Sequence, residues 1–503
     1  MPKREVSKNI ERNEKIIKQE FSNCDDMKLR KITIGKTKRL KGFICYIEVN
    51  TGNQLIDVLG RMLLYLDGLS DEQIEETIKG NAFALSDSDP YPYIEDAIRG
   101  VLIGDAVLFV DGVPVALKIP DEGYPNMGIG KSEAEKVVRG SDESFTESEK
   151  ANTALIRKRI RNTQLKVKEF QVGVRSFTNV AIVYIEGIAK ESLVQEVYRR
   201  FTEYEIDGVM DSGVMEQLAE ESWLSPFPQF QSTRRPDRAS MDLLNGKVVV
   251  LVDNSPVALL LPADVNSFMK TTDDYYNRFY MASFARLIRY VAAFFALTLP
   301  GLYLAVTNFH TQILPTPLLL SFSQARVGVP FPAALEVLLM ELSFELIREA
   351  GIRLPGTMGN TIGIVGGLII GQAAVEANLV SPIVVIVVAF TALCSFAIPN
   401  EEFAFSFRIL KFLLIILSAE FGFFGFLLGL FLVLVHMARL KSFGVPYLSP
   451  YVGAQLNGYQ DEKDSVIRFP FRMLWKRPIY AKESQRVKLR KCINKNKGGD
   501  GDG

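Results

Sequence analysis

The chain has 503 residues, 58 basic against 58 acidic side chains, and a mean hydropathy of +0.12. That length admits two to four domains. Two histidines, four cysteines without CxxC spacing, and no GxSxG, P-loop or dinucleotide fingerprint leave little for the common enzyme chemistries, a disulfide framework or a zinc site. We therefore expect no catalytic residues, metal ligands or cofactor.

The average hydropathy conceals a division. Residues 1–280 are mixed and charged, whereas residues 287–437 are mostly apolar. Met1–Asp26 is rich in Lys, Glu and Asn and does not read as a secretory signal peptide. We assign 1–30 as a polar N-terminal segment.

The next stretch repeats itself. "LIGDAVLFVDGVPVALKIP" (Leu102–Pro120) matches "LNGKVVVLVDNSPVALLLP" (Leu244–Pro262) at an offset of 142 residues. Each is an apolar β-rich run, an Asp-led turn and a second apolar run, which is hairpin chemistry. Upstream, "ICYIEVNTGNQLIDVL" (Ile44–Leu59) echoes "IVYIEGIAKESLVQEV" (Ile182–Val197), a short strand followed by an amphipathic helical stretch. The expected fold is a soluble α/β half of two similar subdomains, 31–138 and 178–280. Between them, 139–177 is expected to be a basic linker helix carrying Arg157, Lys158, Arg159, Arg161, Lys166 and Lys168. Solvent or anionic lipid headgroups suit it better than nucleic acid, because interleaved aromatics are missing.

Residues 281–438 form the expected α-helical transmembrane domain. Leu287–Thr307 is about as long as a bilayer core requires, and Arg278 and Arg286 before it with Arg289 at its start place the soluble half in the cytoplasm. Gly359–Ala377 and Leu379–Pro399 follow, and Phe405–Met437 is too long for one untilted span, with Glu420 and Gly422 marking a break. A basic cytoplasmic tail, 439–503, closes the chain. Six crossings and four crossings both return it to the cytoplasm; six keeps Arg348, Arg353, Arg408 and Lys411 inside and is favoured.

Pro330–Pro355 carries Glu336, Glu341, Glu345 and Glu349 on an apolar helix. Glu341, Glu345 and Glu349 form one stripe, and Glu336 points elsewhere. A carboxylate at membrane depth avoids lipid. Three arrangements satisfy that: an interfacial helix, a buried pair with a cation on another helix, or a stripe facing an aqueous path. The last, preferred here, makes Glu341 and Glu345 pore residues, with Glu336, Gln372 and Glu376 as further polar intramembrane groups. Gly363, Gly367 and Gly371 form a small-residue face for helix packing.

At this point the chain resembles the A subunits of the GerA-type bacterial spore germinant receptors. The motifs are "RGSDESF", "NTALIRKRIR", "SPFPQF", "RRPDRAS", "VDNSPVALLLP", "DDYYNRFY", "VPFPAALEVLLMELSFELIREAGIRLP", "GQAAVEANLVSP", "FAIPNEEFAFSFRILKF" and "LKSFGVPYLSPY", all within Arg139 to Pro478. A stage V sporulation relative is also similar. The family usually has Glu-Arg-Pro-Asp where this chain has Arg234-Arg235-Pro236-Asp237. The resemblance implies a multi-pass protein of the spore inner membrane with cytoplasmic ends. It implies a transporter-like B subunit and a lipoprotein C subunit as partners, and a homo-oligomeric ring, a pentamer, acting as a ligand-gated cation channel. A non-conducting scaffold and a secondary transporter are the competing functions.

Overall fold

The computed structural model describes residues 3–34, 40–48, 73, 90–119, 135, 137–353, 367, 369–453, 457–458 and 460–490. The chain forms two compact units. One comprises Met1–Glu220, Phe230–Pro262 and Trp475–Gly503, and the other Glu221–Gln229 and Ala263–Leu474.

The first unit is α/β. Helix α1 (Ile10–Glu20) precedes strands β1 (Met27–Ile34) and β2 (Leu40–Ile47); helix α2 (Ile94–Ile103) precedes β3 (Ala106–Val110) and β4 (Leu117–Ile119). The strands pair antiparallel in the order β1-β2-β3-β4. Strand side chains alternate between faces. Accordingly Phe43, Cys45 and Ile47 of β2 pack in a core with α1 and α2, and Ile44 and Tyr46 enter a second core on the other face.

The same order recurs. Helix α3 (Glu149–Arg159), β5 (Leu165–Val172) and β6 (Thr178–Ile185) are followed by α4 (Glu191–Phe201), α5 (Ser212–Ala219) and β7 (Gln231–Thr233). Then come α6 (Pro236–Leu244), β8 (Val248–Val252) and β9 (Ala258–Leu261). The sheet runs β5-β6-β8-β9-β7. Every residue of β8 is buried, as a β-branched central strand covered on both faces should be. The match extends to individual hydrogen bonds. The Ile10 amide donates to Asp111 Oδ1 (3.2 Å), and the Glu149 amide donates to Asp253 Oδ1 (3.1 Å). The Asn13 side-chain amide donates to Ser7 O (2.7 Å) and that of Asn152 to Thr146 O (2.6 Å). The Asp of each turn thus satisfies an amide at the start of the first helix of its own copy, where a helix leaves donors unpaired.

Three expected boundaries change. Residues 1–30 are not merely a polar segment, because α1 buries Ile10 and Ile17 in the first core. The linker helix of 139–177 is instead α3 and β5, the opening elements of the second copy. Its basic residues are largely used internally. Arg157 is buried and forms a two-pronged ion pair with Asp26, while Lys158 and Arg159 both pair with Glu143. Finally, 439–503 is not one tail. Residues up to Leu474 belong to the second unit, and the following segment packs in the first, burying Ile479, Tyr480 and Ala481. Gly246 makes this approach tolerable: at φ 98° any Cβ there would lie 2.7 Å from Ala481 Cα. The amphipathic stretch expected just after β2 lies outside the described residues.

The second unit is helical: α7 (Phe279–Leu304), α8 (Thr316–Ala325), α9 (Ala333–Arg353), α10 (Pro382–Phe396) and α11 (Glu401–Arg439). Among the described residues, Phe279–Phe309 (31 residues) and Glu401–Arg439 (39 residues) are helices long and apolar enough to cross a bilayer. Helix α10, expected within the 379–399 span, has 15 residues, fewer than the roughly 20 a crossing helix requires.

Helix α11 is a hairpin. Gly422 leaves helical geometry at φ 60° and ψ −139°. Past it the chain reverses: a Cβ on Gly425 would lie 2.0 Å from Leu417 O, and one on Gly429 would lie 2.5 Å from the Leu414 side chain. At the open end, Phe403 and His436 both lie about 6.0 Å from the Phe227 ring, centroid to centroid. A straight helix at 1.5 Å per residue would hold those two residues roughly 50 Å apart.

Candidate functional site

Helix α9 sets its carboxylates against the first arm of the α11 hairpin. Glu341 forms a charge-assisted hydrogen bond with Lys411, and both are almost fully buried. One turn further, Glu345 Oε2 accepts from Arg408 Nη1 at 3.0 Å. Next, Arg348 Nη2 donates to Ser395 Oγ of α10 at 2.7 Å and lies 4.4 Å from the centre of the Phe396 ring. The partners run in opposite directions along their helices, so the two elements are antiparallel at this ladder. Helical spacing permits both contacts on one face, since residues four apart on α9 meet residues three apart on the hairpin arm.

Glu336 stands apart from the stripe, as the helical wheel requires. It is fully buried, pairs with Arg326 (3.2 Å), and accepts the Ser381 amide (2.8 Å) just ahead of α10. Glu349, Gln372 and Glu376 are exposed. The stripe residues Glu341 and Glu345 are thus brought together with hairpin cations, which is the buried-pair arrangement. Within that pair, Glu341 Oε1 is buried with no hydrogen-bond partner among the described residues. A carboxylate oxygen in such surroundings is costly unless something donates to it or binds it.

The glycine face is in contact, but with side chains. A Cβ on Gly367 would lie 3.4 Å from the Phe344 ring of α9, and one on Gly371 would lie 3.3 Å from Val385 of α10. Gly363 lies outside the described residues. The close backbone approach occurs elsewhere, where a Cβ on Gly301 of α7 would be 3.3 Å from Leu414 O and 3.0 Å from Ser418 Oγ.

Sequence reading missed a second charged cluster, at the start of α7. Arg286 is fully buried, donates to Asp274 (2.8 Å) and Asp464 (2.7 Å), and lies over the Tyr275 ring; Arg289 also pairs with Asp274 (2.9 Å). Lys270 pairs with Asp464 (3.1 Å), and Arg468 Nη1 donates to Asp274 O. Burial alone would raise the Asp464 carboxyl, but Lys270 and Arg286 beside it hold it far below its ordinary value. These arginines read as a basic flank in sequence because their carboxylates are short-range (Asp274) or far along the chain (Asp464). Only the latter was beyond local reading.

The fold and site define a class: a protein with an α/β unit of two sheets and a helical unit holding two helices of membrane-crossing character. The chain belongs to the family described as Bacillus/Clostridium GerA spore germination protein, which matches residues 15–480. It is 38% identical to spore germination protein A1 of Bacillus subtilis over 433 residues, 86% of this chain and 88% of that protein. It is 35% identical to B. subtilis spore germination protein KA, covering 96% of this chain and 88% of that one. It is also 38% identical to the uncharacterized membrane protein YfkQ of B. subtilis, covering 94% and 92%. The crystal structure of the N-terminal domain of the A subunit of the Bacillus megaterium spore germinant receptor GerK3 aligns at 27% identity and a TM-score of 0.40, covering 52% of this chain and 97% of that one.

Proposed function

We propose that this chain is the A subunit of a nutrient germinant receptor in the bacterial spore inner membrane. In this reading it crosses the membrane six times with both ends on the core side. It assembles as a homo-oligomer, a ring of five, with a transporter-like B subunit and a lipoprotein C subunit. It acts as a ligand-gated cation channel that triggers germination. The membrane-crossing pattern is supported by the α11 hairpin, whose arms of roughly 20 residues each match a bilayer core. The observation that carries the channel reading is Glu341. It is a carboxylate on an apolar helix, neutralised by Lys411 and with one oxygen still lacking a donor among the described residues. We assign the Glu341–Lys411 and Glu345–Arg408 pairs to the closed state. Separation of α9 from the hairpin would release two carboxylates per subunit to a water-filled path, where rings of carboxylates concentrate cations.

A second reading has its own support. Both carboxylates are already paired, so the ladder also suits a non-conducting scaffold that couples a sensor subunit to partners. Cation flux through the purified full chain in liposomes separates the two. The channel reading expects flux that falls or loses selectivity in Glu341→Gln with assembly retained. No flux from a correctly assembled oligomer, or unchanged flux in Glu341→Gln, rejects Glu341 as a pore residue.

A further inference from the structure

Nine residues, Glu221–Gln229, leave the α/β unit and join the helical unit. They form a closed loop. The Glu221 and Ser222 amides both donate to Gln229 Oε1 (3.0 and 3.2 Å), and the Gln229 side-chain amide donates back to Ser222 O (3.1 Å). One side of the loop is fixed to the helices. Phe227 is buried among Phe403, Phe407, His436 and Tyr447; Ser225 Oγ is 2.8 Å from His436 Nε2; Ser406 Oγ donates to Pro226 O at 2.5 Å.

The other side is a tight turn closed by the Ser225 amide on Ser222 O (2.9 Å). Its two central residues are Trp223 and Leu224, 75% and 78% exposed. A turn tip normally carries Gly, Asn, Asp or Pro. Here a hydrogen-bonded base holds two large apolar side chains in the open, where burial in an apolar medium would be favourable.

The loop's fixings indicate what covers the tip. Phe403 and Ser406 lie in the first turns of the entering arm of α11, and His436 lies in the last turn of the returning arm. The loop therefore sits level with the open end of the apolar hairpin. Exposed Phe405, Ile409, Leu432 and Leu434 continue the apolar surface along both arms, and exposed Arg439 and Lys441 follow at the exit. Exposed Glu401 and Glu402 open the entering arm, so both apolar arms end in charged residues, which marks the headgroup–acyl boundary, the depth at which tryptophan is enriched.

We propose that the Trp223-Leu224 tip inserts into the interfacial layer of the lipid bilayer and fixes the depth of the hairpin's open end. This inference rests on α11 being membrane-embedded. The chain has two tryptophans, Trp223 and Trp475, so Trp475→Phe leaves Trp223 as the sole reporter (Trp475→Tyr serves if that variant misfolds). The full chain is reconstituted in phosphatidylcholine–phosphatidylglycerol vesicles and floated on a density gradient. Failure to float rejects the membrane reading of α11 itself. In floated protein, the expected result is blue-shifted Trp223 emission that loses most of its intensity with lipids brominated near the headgroup and little with aqueous iodide. Red-shifted emission quenched by iodide overturns the proposal in favour of solvent. Blue-shifted emission insensitive to both quenchers overturns it in favour of a protein contact.

Discussion

Replacing Lys411 with methionine keeps the length and most of the volume of the side chain and removes its charge. Glu341 and Lys411 have side chains 2% and 5% exposed, so neither can recover hydration if the other is lost. Breaking a buried pair from one side costs about 3–5 kcal/mol, whereas replacing both members by apolar residues is close to neutral or stabilising. For a unit of this size each kcal/mol shifts the melting midpoint by about 2–4 °C, so Lys411→Met should lower it by roughly 6–20 °C. Adding Glu341→Met should restore most of that loss. Thermal melts of the full chain in lipid nanodiscs, at low and high salt, supply the measurement, and the loss should be insensitive to salt because buried pairs are little screened. A single-variant shift within about 1 kcal/mol, with nothing recovered in the double variant, would show that Glu341 is already hydrated at rest. The closed-state pairing would then be wrong.

Gly425→Ala places a methyl against Leu417 O and should destabilise the hairpin by about 1–3 kcal/mol or more, read as a lower melting midpoint; an unchanged midpoint would contradict the reversal at Gly422. Gly367→Leu should displace the Phe344 ring and lower helical-unit stability or oligomer yield, and unchanged values of both would remove its packing role. Glu149 is nearly fully exposure-free; burial, reinforced by the charge of Glu169, raises its carboxyl to about 7. Its contribution is therefore complete below the unfolded value near 4.5 and is lost as pH rises through about 7, about 3 kcal/mol in all. Melts between pH 5 and 8 should show this slope in the parent and a flatter one in Glu149→Gln; equal slopes would refute the assignment. Thiols engineered at positions 353 and 476 should both escape labelling from outside intact membranes, whereas labelling at 353 alone would favour four crossings.

The α/β unit was legible where its signals are local. Asp111 and Asp253 marked two matched turns, and strands β3 and β8 begin at the same 142-residue offset as those turns. What each Asp does was not legible, because its partner is the amide of Ile10 or Glu149, about a hundred residues away. The basic run 157–168 misled for a related reason. Read locally, it is a charged helical face; in the fold it crosses from α3 into β5, and Arg157 finds Asp26 131 residues earlier. Local charge density is a poor guide to exposure when each charge has a distant partner.

The same principle governs the helical unit, with a different consequence. Helical periodicity placed Glu341 and Glu345 together and Glu336 apart, because geometry at 100° per residue needs no tertiary information. It left open what the stripe faces. Lys411 lies 70 residues away, on the first arm of α11 ahead of the break at Gly422, and its meeting with Glu341 depends on how that arm packs along α9. A left-handed backbone is cheap only for glycine, which is why the hairpin can turn at Gly422. Among the described residues, Glu341 Oε1 is buried without a hydrogen-bond partner. Glu341→Gln, which replaces a carboxylate oxygen with an amide at this position, is therefore the variant that tests the aqueous path proposed for the assembled protein.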